Sequence, residues 1–496
     1  MGAVIPTQGR DKEELLAELA KMREGDADWA NARTWSLVYH AGDEHKAFLQ
    51  RAYGQFFAEN GLNPLAFKSL KRLEGDVVRM AAALLNGDGE SVGTMTSGGT
   101  ESILLAVKAA RDRARARKPW ILRPEMVVPH TIHVAFEKAA HYFGLKVRRA
   151  ATGPDMRADV RSMRRLIGRN TVLVAASAPQ YPHGVVDPIE ELAPLAASRG
   201  IPFHVDACVG GFILPWLERL GQPIHRWDFR VPGVTSISAD VHKYGYAAKG
   251  ASVVIYRDMS YLKHQFFVST DWCGGIYASP SLPGTRPGGA IAAAWAALMA
   301  LGEEGYLDLA RKALDATRRL RDGVIAIPEL RLVAEPEATI VTYASGDPAV
   351  DIYAVADRLE ARGWNADRQQ YPACIHCTVM AAHEQAVEPY LRDLRECVAE
   401  VKADPSLAKS GQAPMYGMMA KVPLRGLVRQ SVLKVMEGMY GPTGQVPDLS
   451  RVGEGEGDGL LLKLVGRYGE PALELLDKLR SPGALVRSAL GREEGR

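Results

Sequence analysis

Short apolar runs alternate with amphipathic stretches from about residue 70 to residue 260. Runs at 126–128, 146–149, 171–175, 202–206, 235–238 and 252–256 have strand length, and helical spacing of apolar positions fills 132–143, 159–167 and 189–198. Parallel strands need a crossover, which an intervening helix supplies, so the alternation predicts an open, largely parallel sheet flanked by helices. Such sheets bind ligands beyond the carboxyl ends of their strands. Residues before 60 read as helix and connection with no sheet of their own. Beyond the Pro/Gly-rich stretch at 279–289 the pattern changes to a long helix over 290–321, strands at 330–335 and 339–343, a helix at 350–362 and a strand at 374–380. The division is therefore an N-terminal helical segment (1–60), a large α/β domain (61–300), a smaller α+β domain (301–425) and a C-terminal helical or flexible extension (426–496). Within the extension, 441–459 is a Gly/Pro-rich connection and 460–490 is amphipathic.

Composition narrows the class without naming a function. The 496 residues are 47% apolar and 24% charged, which excludes wholesale disorder, and a net charge of +3 gives no field for nucleic acid as a main partner. The basic run at 111–118 reads as a solvated helix end. Residues 1–20 lack the continuous apolar region of a signal peptide, Pro6 stands where a myristoylation signal wants Ser or Thr, and the longest apolar stretch, 290–301, is too short to span a bilayer. Five cysteines, Cys208, Cys273, Cys374, Cys377 and Cys397, are an odd number thinly spread, as expected of reduced thiols in the cytoplasm. Cys374 and Cys377 have C-x-x-C spacing but no second pair, so they read as part of a buried strand and no metal site is expected.

Three segments carry chemistry. Thr96-Ser97-Gly98-Gly99-Thr100-Glu101-Ser102 opens a helical pattern, where free N–H groups, the helix dipole and the hydroxyl of Thr100 or Ser102 suit a phosphate; the same residues would also make a good cap. No Gly-Lys-Ser/Thr follows, so this is no Walker loop. Asp206 ends the apolar run Phe203-His204-Val205, either as a satisfied strand-end carboxylate or as the partner of a cation. Lys243, in Asp240-Val241-His242-Lys243-Tyr244, is either an exposed charge or an amine that forms a Schiff base. Asp206 and Lys243 are 37 residues apart, about one strand–helix–strand unit, so both can approach one ligand. Together the segments suit pyridoxal 5'-phosphate: phosphate at Gly98, Gly99 and Thr100, pyridinium at Asp206, aldehyde carbon at Lys243. His133, after the strand at 126–128, is placed either to stack on the ring or to sit as a polar loop residue.

These motifs, with Ser177-Ala178-Pro179-Gln180-Tyr181-Pro182-His183-Gly184, Asp240 through Gly250, Gly284-Thr285-Arg286-Pro287-Gly288 and Met415-Tyr416-Gly417-Met418, resemble the group II decarboxylase superfamily of fold-type-I pyridoxal-phosphate enzymes. Within it the similarity is to the sphingosine-1-phosphate lyase family, over residues 30 to 440. The resemblance implies a soluble, bacterial-type lyase that cuts the C2–C3 bond of a phosphorylated sphingoid base by retro-aldol chemistry, giving a long-chain aldehyde and phosphoethanolamine. It also implies a homodimer with shared active sites, in which Gly284 and Thr285 reach the cofactor phosphate of the neighbouring subunit. His242 would contact that phosphate, Lys249 and Tyr39 would serve the substrate phosphate, and Tyr181 occupies another active-site position. Tyr39, Lys249 and the substrate's own phosphate all stand open as the base for the C3 hydroxyl. The chain departs from the pattern after Asn63-Pro64-Leu65, where Ala66 replaces a phosphate-pocket His and Lys68 is the candidate substitute. Two other readings share the scaffold: an amino-acid decarboxylase, and a non-catalytic lipid or protein binder.

Overall fold

The computed structural model describes residues 4–413, 416–417 and 425–442. The segment 460–490 lies outside the described residues, as does most of the Gly/Pro-rich connection before it. Helices α1 (Lys12–Met22), α2 (Asp43–Gln55) and α3 (Lys68–Leu84) precede β1 (Val92–Thr96) and α4 (Gly99–Arg117). There follow β2 (Glu125–Pro129), α5 (Ala135–Phe143), β3 (Lys146–Ala150), α6 (Val160–Leu166), β4 (Thr171–Ser177), α7 (Ile189–Ala197) and β5 (Phe203–Asp206). Then come α8 (Leu214–Arg219), β6 (Val234–Ala239), β7 (Ser252–Tyr256), α9 (Met259–Leu262) and a hairpin of β8 (Phe267–Ser269) with β9 (Tyr277–Ser279).

Seven of these strands form one sheet in the order β1-β7-β6-β5-β4-β2-β3. Its neighbours from β6 to β3 pair in parallel, while β7 runs antiparallel between β1 and β6. The six expected strands are all present. β1 was not anticipated, because Val92-Gly93-Thr94-Met95-Thr96 lacks an apolar run. Its Gly93 is required by tertiary contact: a Cβ there would stand 2.3 Å from the Val254 carbonyl oxygen on β7. The strands at the sheet's centre are buried along their whole length, and β4 and β7 accordingly read as nearly continuous apolar segments, while β6 buries Thr235, Ser236 and Ser238 as well.

Helix α10 (Gly288–Ile325) ties the large sheet to a smaller one. It kinks at Gly302, whose φ of 56° a glycine adopts without strain. Ala294, Ala297 and Tyr306 join the core of the large sheet, and Ala316, Leu320 and Val324 join the core of the small one. That sheet is antiparallel, in the order β10 (Leu330–Leu332), β11 (Ile340–Ser345), β13 (Cys374–Thr378), β12 (Asp367–Gln369), with helices α11 (Ile352–Ala361) and α12 (Val387–Ala403) packed on it. Cys374 and Cys377 are free and buried on β13, in two different apolar clusters, as a strand spacing of three demands. A last described helix, α13, covers Arg425–Tyr440.

The segment before residue 60 has no sheet of its own but is stitched to the small sheet. Thr34 bridges Asn365, Trp35 N–H donates to the Asn365 carbonyl (2.9 Å), and Thr378 N–H donates to the Trp35 carbonyl (2.7 Å). Trp35 is buried and stacked on His383 with ring centroids 4.3 Å apart. The basic run at 111–118 closes α4 as expected: Arg111 lies over the Phe143 ring, Arg113 over Tyr261, and residues 115–117 face solvent.

Candidate active site

A cavity of about 430 Å³ opens at the carboxyl ends of β1, β2, β4, β5 and β6. Its lining brings together Gly98, Gly99 and Thr100 from the start of α4, His133 after β2, Tyr181 after β4, Asp206 at the end of β5, and His242 and Lys243 after β6.

The start of α4 favours the ligand reading over the cap. Gly98 is the N-cap residue and no side chain caps the helix, so its first N–H groups remain for an anion. Ser102 is spoken for elsewhere: its hydroxyl lies 2.6 Å from Thr96 Oγ1 and 2.9 Å from Ser252 Oγ. Glu101 is held by Ser97 (N–H and Oγ both at 2.7 Å) and by Leu282 N–H at 2.9 Å, which fixes the loop. A Cβ on Gly99 would come within 2.7 Å of Cys208 Sγ and 2.9 Å of both Asp240 carboxylate oxygens, so this glycine keeps the cavity floor clear.

Asp206 is buried, and its Oδ1 accepts from the Cys208 N–H (3.1 Å) and from Ser238 Oγ (3.4 Å). His204, one turn of the pleat earlier, is hydrogen-bonded to Ser236 and Ser238, and burial drops its pKa to about 4, so it is neutral. Lys243 Nζ lies 3.0 Å from Asp240 Oδ2, and His242 Nε2 lies 3.7 Å from the same oxygen. Burial pulls the Lys243 pKa down, but the adjacent Asp240 charge wins and holds it well above the usual lysine range. The sequence motif alone assigns Asp240 no role; its signal is a carboxylate three residues before the lysine, just past a buried strand. Asp240 Oδ1 and His242 Nδ1 are buried without a hydrogen-bond partner. These orphaned atoms, the uncapped helix and the Gly99 cradle fit a phosphate-bearing, polar ring held by Lys243.

Tyr181 stands edge-on to His133, with ring centroids 6.4 Å apart. Its hydroxyl donates to Asp367 Oδ2 at 2.5 Å, a partner that no motif in the sequence identified. The Ala135 N–H donates to His133 Nδ1 at 3.2 Å and so orients that imidazole.

Five expected residues do not line the cavity of their own chain. Tyr39 is buried, edge-on to Tyr244 at 5.0 Å, and burial raises its pKa. Lys249 is exposed, with its Nζ 5.4 Å from the centroid of the Tyr39 ring and donating to the Leu37 carbonyl at 2.7 Å. Partial desolvation of its ammonium, with the like charge of Lys243, lowers the Lys249 pKa to about 8. Gly284 and Thr285 belong to the connection between β9 and α10, where Thr285 Oγ1 accepts from Asn60 Nδ2 at 3.2 Å. Lys68 is the exposed first residue of α3. In the Met415–Met418 motif, Met415 and Met418 lie outside the described residues, while Tyr416 packs on Tyr353 and under Arg368 in the small domain.

Residues 53–345 match the pyridoxal-dependent decarboxylase conserved domain. The chain is 45% identical over 445 residues to the sphingosine-1-phosphate lyase of Arabidopsis thaliana, covering 88% of this chain and 81% of that one. It is 43% identical over 439 residues to sphingosine-1-phosphate lyase 1 of Rattus norvegicus, covering 88% and 77%. Among solved structures, the sphingosine-1-phosphate lyase of Burkholderia pseudomallei superposes with a TM-score of 0.79 at 40% identity, covering 88% of this chain and 97% of that one.

Proposed function

The chain belongs to the pyridoxal-dependent decarboxylase family, within its sphingosine-1-phosphate lyase branch, and on that premise we propose that it cleaves the C2–C3 bond of phosphorylated sphingoid bases to a long-chain aldehyde and phosphoethanolamine. The protein is a pyridoxal-phosphate enzyme of fold type I. The observation that carries the reading is the convergence of Lys243, Asp206, His133 and the uncapped start of α4 on one cavity.

Each residue has a distinct task in this reading. The α4 N-terminus, with Gly98, Gly99 and Thr100, and His242 would hold the cofactor phosphate. Asp206 would pair with the ring nitrogen, His133 would cover the ring face, and Lys243 would bind the aldehyde carbon. Bound pyridoxal phosphate supplies a sink for the electron pair left when the C2–C3 bond breaks. Lys249 and Tyr39, whose side chains are adjacent, would orient the substrate phosphate.

Gly284 and Thr285 would serve the cofactor phosphate of a neighbouring subunit in a homodimer. Two features support this: neither residue lines its own cavity, and the β8–β9 hairpin just before them exposes Phe267, Val268, Trp272 and Ile276. Trp272→Glu with Ile276→Glu would then yield monomer in sedimentation analysis. Five free cysteines support a cytoplasmic setting, and among the described residues no helix is long and apolar enough to cross a membrane. In this reading the chain divides at residues 60, 300 and 425, with α10 running across the second boundary.

The direct test is incubation of cofactor-loaded enzyme with sphingosine-1-phosphate and mass detection of aldehyde and phosphoethanolamine. Carbon dioxide release from an amino-acid panel, with no aldehyde from the phosphorylated base, would instead assign an amino-acid decarboxylase. Protein that takes up no pyridoxal phosphate would assign the non-catalytic binder.

A further inference from the structure

Asp367 sits where three parts of the chain meet. It opens β12 of the small sheet, and its carboxylate reaches across to the large domain and the N-terminal segment. Oδ2 accepts the Tyr181 hydroxyl at 2.5 Å, and Oδ1 accepts from Ser36 Oγ at 3.3 Å. Among the described residues no Lys, Arg or His forms an ion pair with it. His376 stands opposite Asp367 in the β12–β13 register, and its ring lies 4.5 Å from that of Tyr181. His376 Nδ1 is 3.2 Å from the Pro182 carbonyl oxygen and Nε2 is 2.8 Å from Thr378 Oγ1. The carbonyl requires a proton on Nδ1, and burial lowers the His376 pKa against the opposing pull of the Asp367 charge.

Tyr181 is thus a cavity-lining phenol whose own proton already points at a carboxylate. Burial and the Asp367 charge raise its pKa, so a free phenolate is an unfavourable base here. A phenol hydrogen-bonded to a carboxylate has another course: it can accept one proton at its oxygen while passing its own on.

Building on the lyase reading above, we propose that Tyr181 and Asp367 form the proton relay for the C3 hydroxyl, with Asp367 as the positioning residue and final acceptor behind Tyr181. The hydroxyl proton moves to Tyr181 Oη as the phenolic proton moves to Asp367 Oδ2. Tyr181 is neutral before and after, and the negative charge passes from Asp367 to the substrate oxygen. That oxygen becomes the aldehyde carbonyl as the C2–C3 bond breaks, its electron pair going to the sink already named. Transfer of that proton from Asp367 through Tyr181 to C2 of the two-carbon fragment, which leaves as phosphoethanolamine, resets the pair.

The test compares Asp367→Asn, Asp367→Glu, Tyr181→Phe and the double variant Tyr181→Phe/Asp367→Asn with the wild type. Asp367→Asn is expected to lower kcat about 100-fold with KM within threefold. Borohydride-fixed cofactor and the urea midpoint should stay at wild-type values. Asp367→Glu, which keeps a carboxylate, should recover at least a tenth of wild-type kcat. The double variant should be no slower than Tyr181→Phe alone, because both residues serve one path. Wild-type kcat in Asp367→Asn, a loss confined to KM or cofactor uptake, a Glu variant no better than Asn, or a double variant whose losses multiply would each overturn the relay. If Asp367→Asn does not fold, Tyr181→Phe decides: a 100-fold loss in kcat supports the relay and unchanged kcat overturns it. Absence of cleavage by the wild type would fail the lyase reading itself, whereas cleavage with unaffected variants would fail the relay alone.

Discussion

Asp240 Oδ2 and Lys243 Nζ stand 3.0 Å apart on the floor of the cavity, with Asp240 almost wholly buried. A buried carboxylate is costly unless it meets a cation, and here the cation is the residue assigned to the cofactor.

Lys243→Ala should abolish borohydride-fixable cofactor and lower turnover by orders of magnitude. The phosphate seat and Asp206 remain, so non-covalent uptake of pyridoxal phosphate should persist in equilibrium dialysis. Asp240→Asn leaves the partly buried Lys243 without its partner and should cost about 1–3 kcal/mol in urea unfolding. An unchanged midpoint would mean that the pair contributes nothing to the fold.

Lys249→Ala should keep its bound cofactor and lose a charge-assisted contact worth roughly 1.5–3 kcal/mol toward a phosphate. In kcat/KM that is a loss of about 10- to 150-fold for phosphorylated substrate and little for an unphosphorylated amine. Equal impairment of both substrates would remove Lys249 from phosphate recognition.

The lowered Lys249 pKa, about 8, sets a pH dependence. The free enzyme carries the ammonium below that value and loses it as pH rises through it, so kcat/KM for the phosphorylated substrate should fall above pH 8. Lys249→Arg keeps its charge throughout and should flatten this limb. An unchanged limb in the Arg variant would assign the titration to another group.

Gly99→Ala places a methyl group 2.7 Å from Cys208 Sγ and 2.9 Å from the Asp240 oxygens, inside the cradle. Cofactor affinity should fall at least tenfold, with far-ultraviolet circular dichroism unchanged. Wild-type uptake by this variant would remove Gly99 from the cofactor seat.

Asp187 is fully buried, accepting from the N–H groups of Ala158 (2.9 Å) and Ser177 (2.8 Å), and burial raises its pKa to about 6. The folded chain therefore binds this proton more tightly than the unfolded one. Its contribution to stability is complete below about pH 4 and is lost as pH rises through 6, at about 1.4 kcal/mol per unit. Asp187→Asn should flatten the stability profile between pH 4 and 6, read as urea midpoints. A profile that keeps its slope would exclude Asp187 as the source.

The sequence by itself determined what is local. Apolar runs marked the buried strands β2, β4, β5 and β7, since a strand covered on both faces has no polar side to show, whereas β3, at the sheet's edge, is Lys-Val-Arg-Arg-Ala and partly exposed. The order of Gly98-Gly99-Thr100, His133, Asp206 and Lys243 along alternating strands and helices placed them at one edge of the sheet, because β1, β2, β5 and β6, which they follow, run in the same direction while β7 alone runs against them. Tertiary structure decided what depends on pairing between distant segments. β1 exists because Gly93 lets Val254 approach, and β12 because β13 offers an edge, although neither has an apolar run of its own. Ser102 was turned from the phosphate seat into the core by Thr96 and Ser252. Asp367 shows the limit most clearly: nothing around it in the chain marks it, and only the docking of the small sheet, 186 residues from Tyr181 in sequence, puts its carboxylate on that phenol.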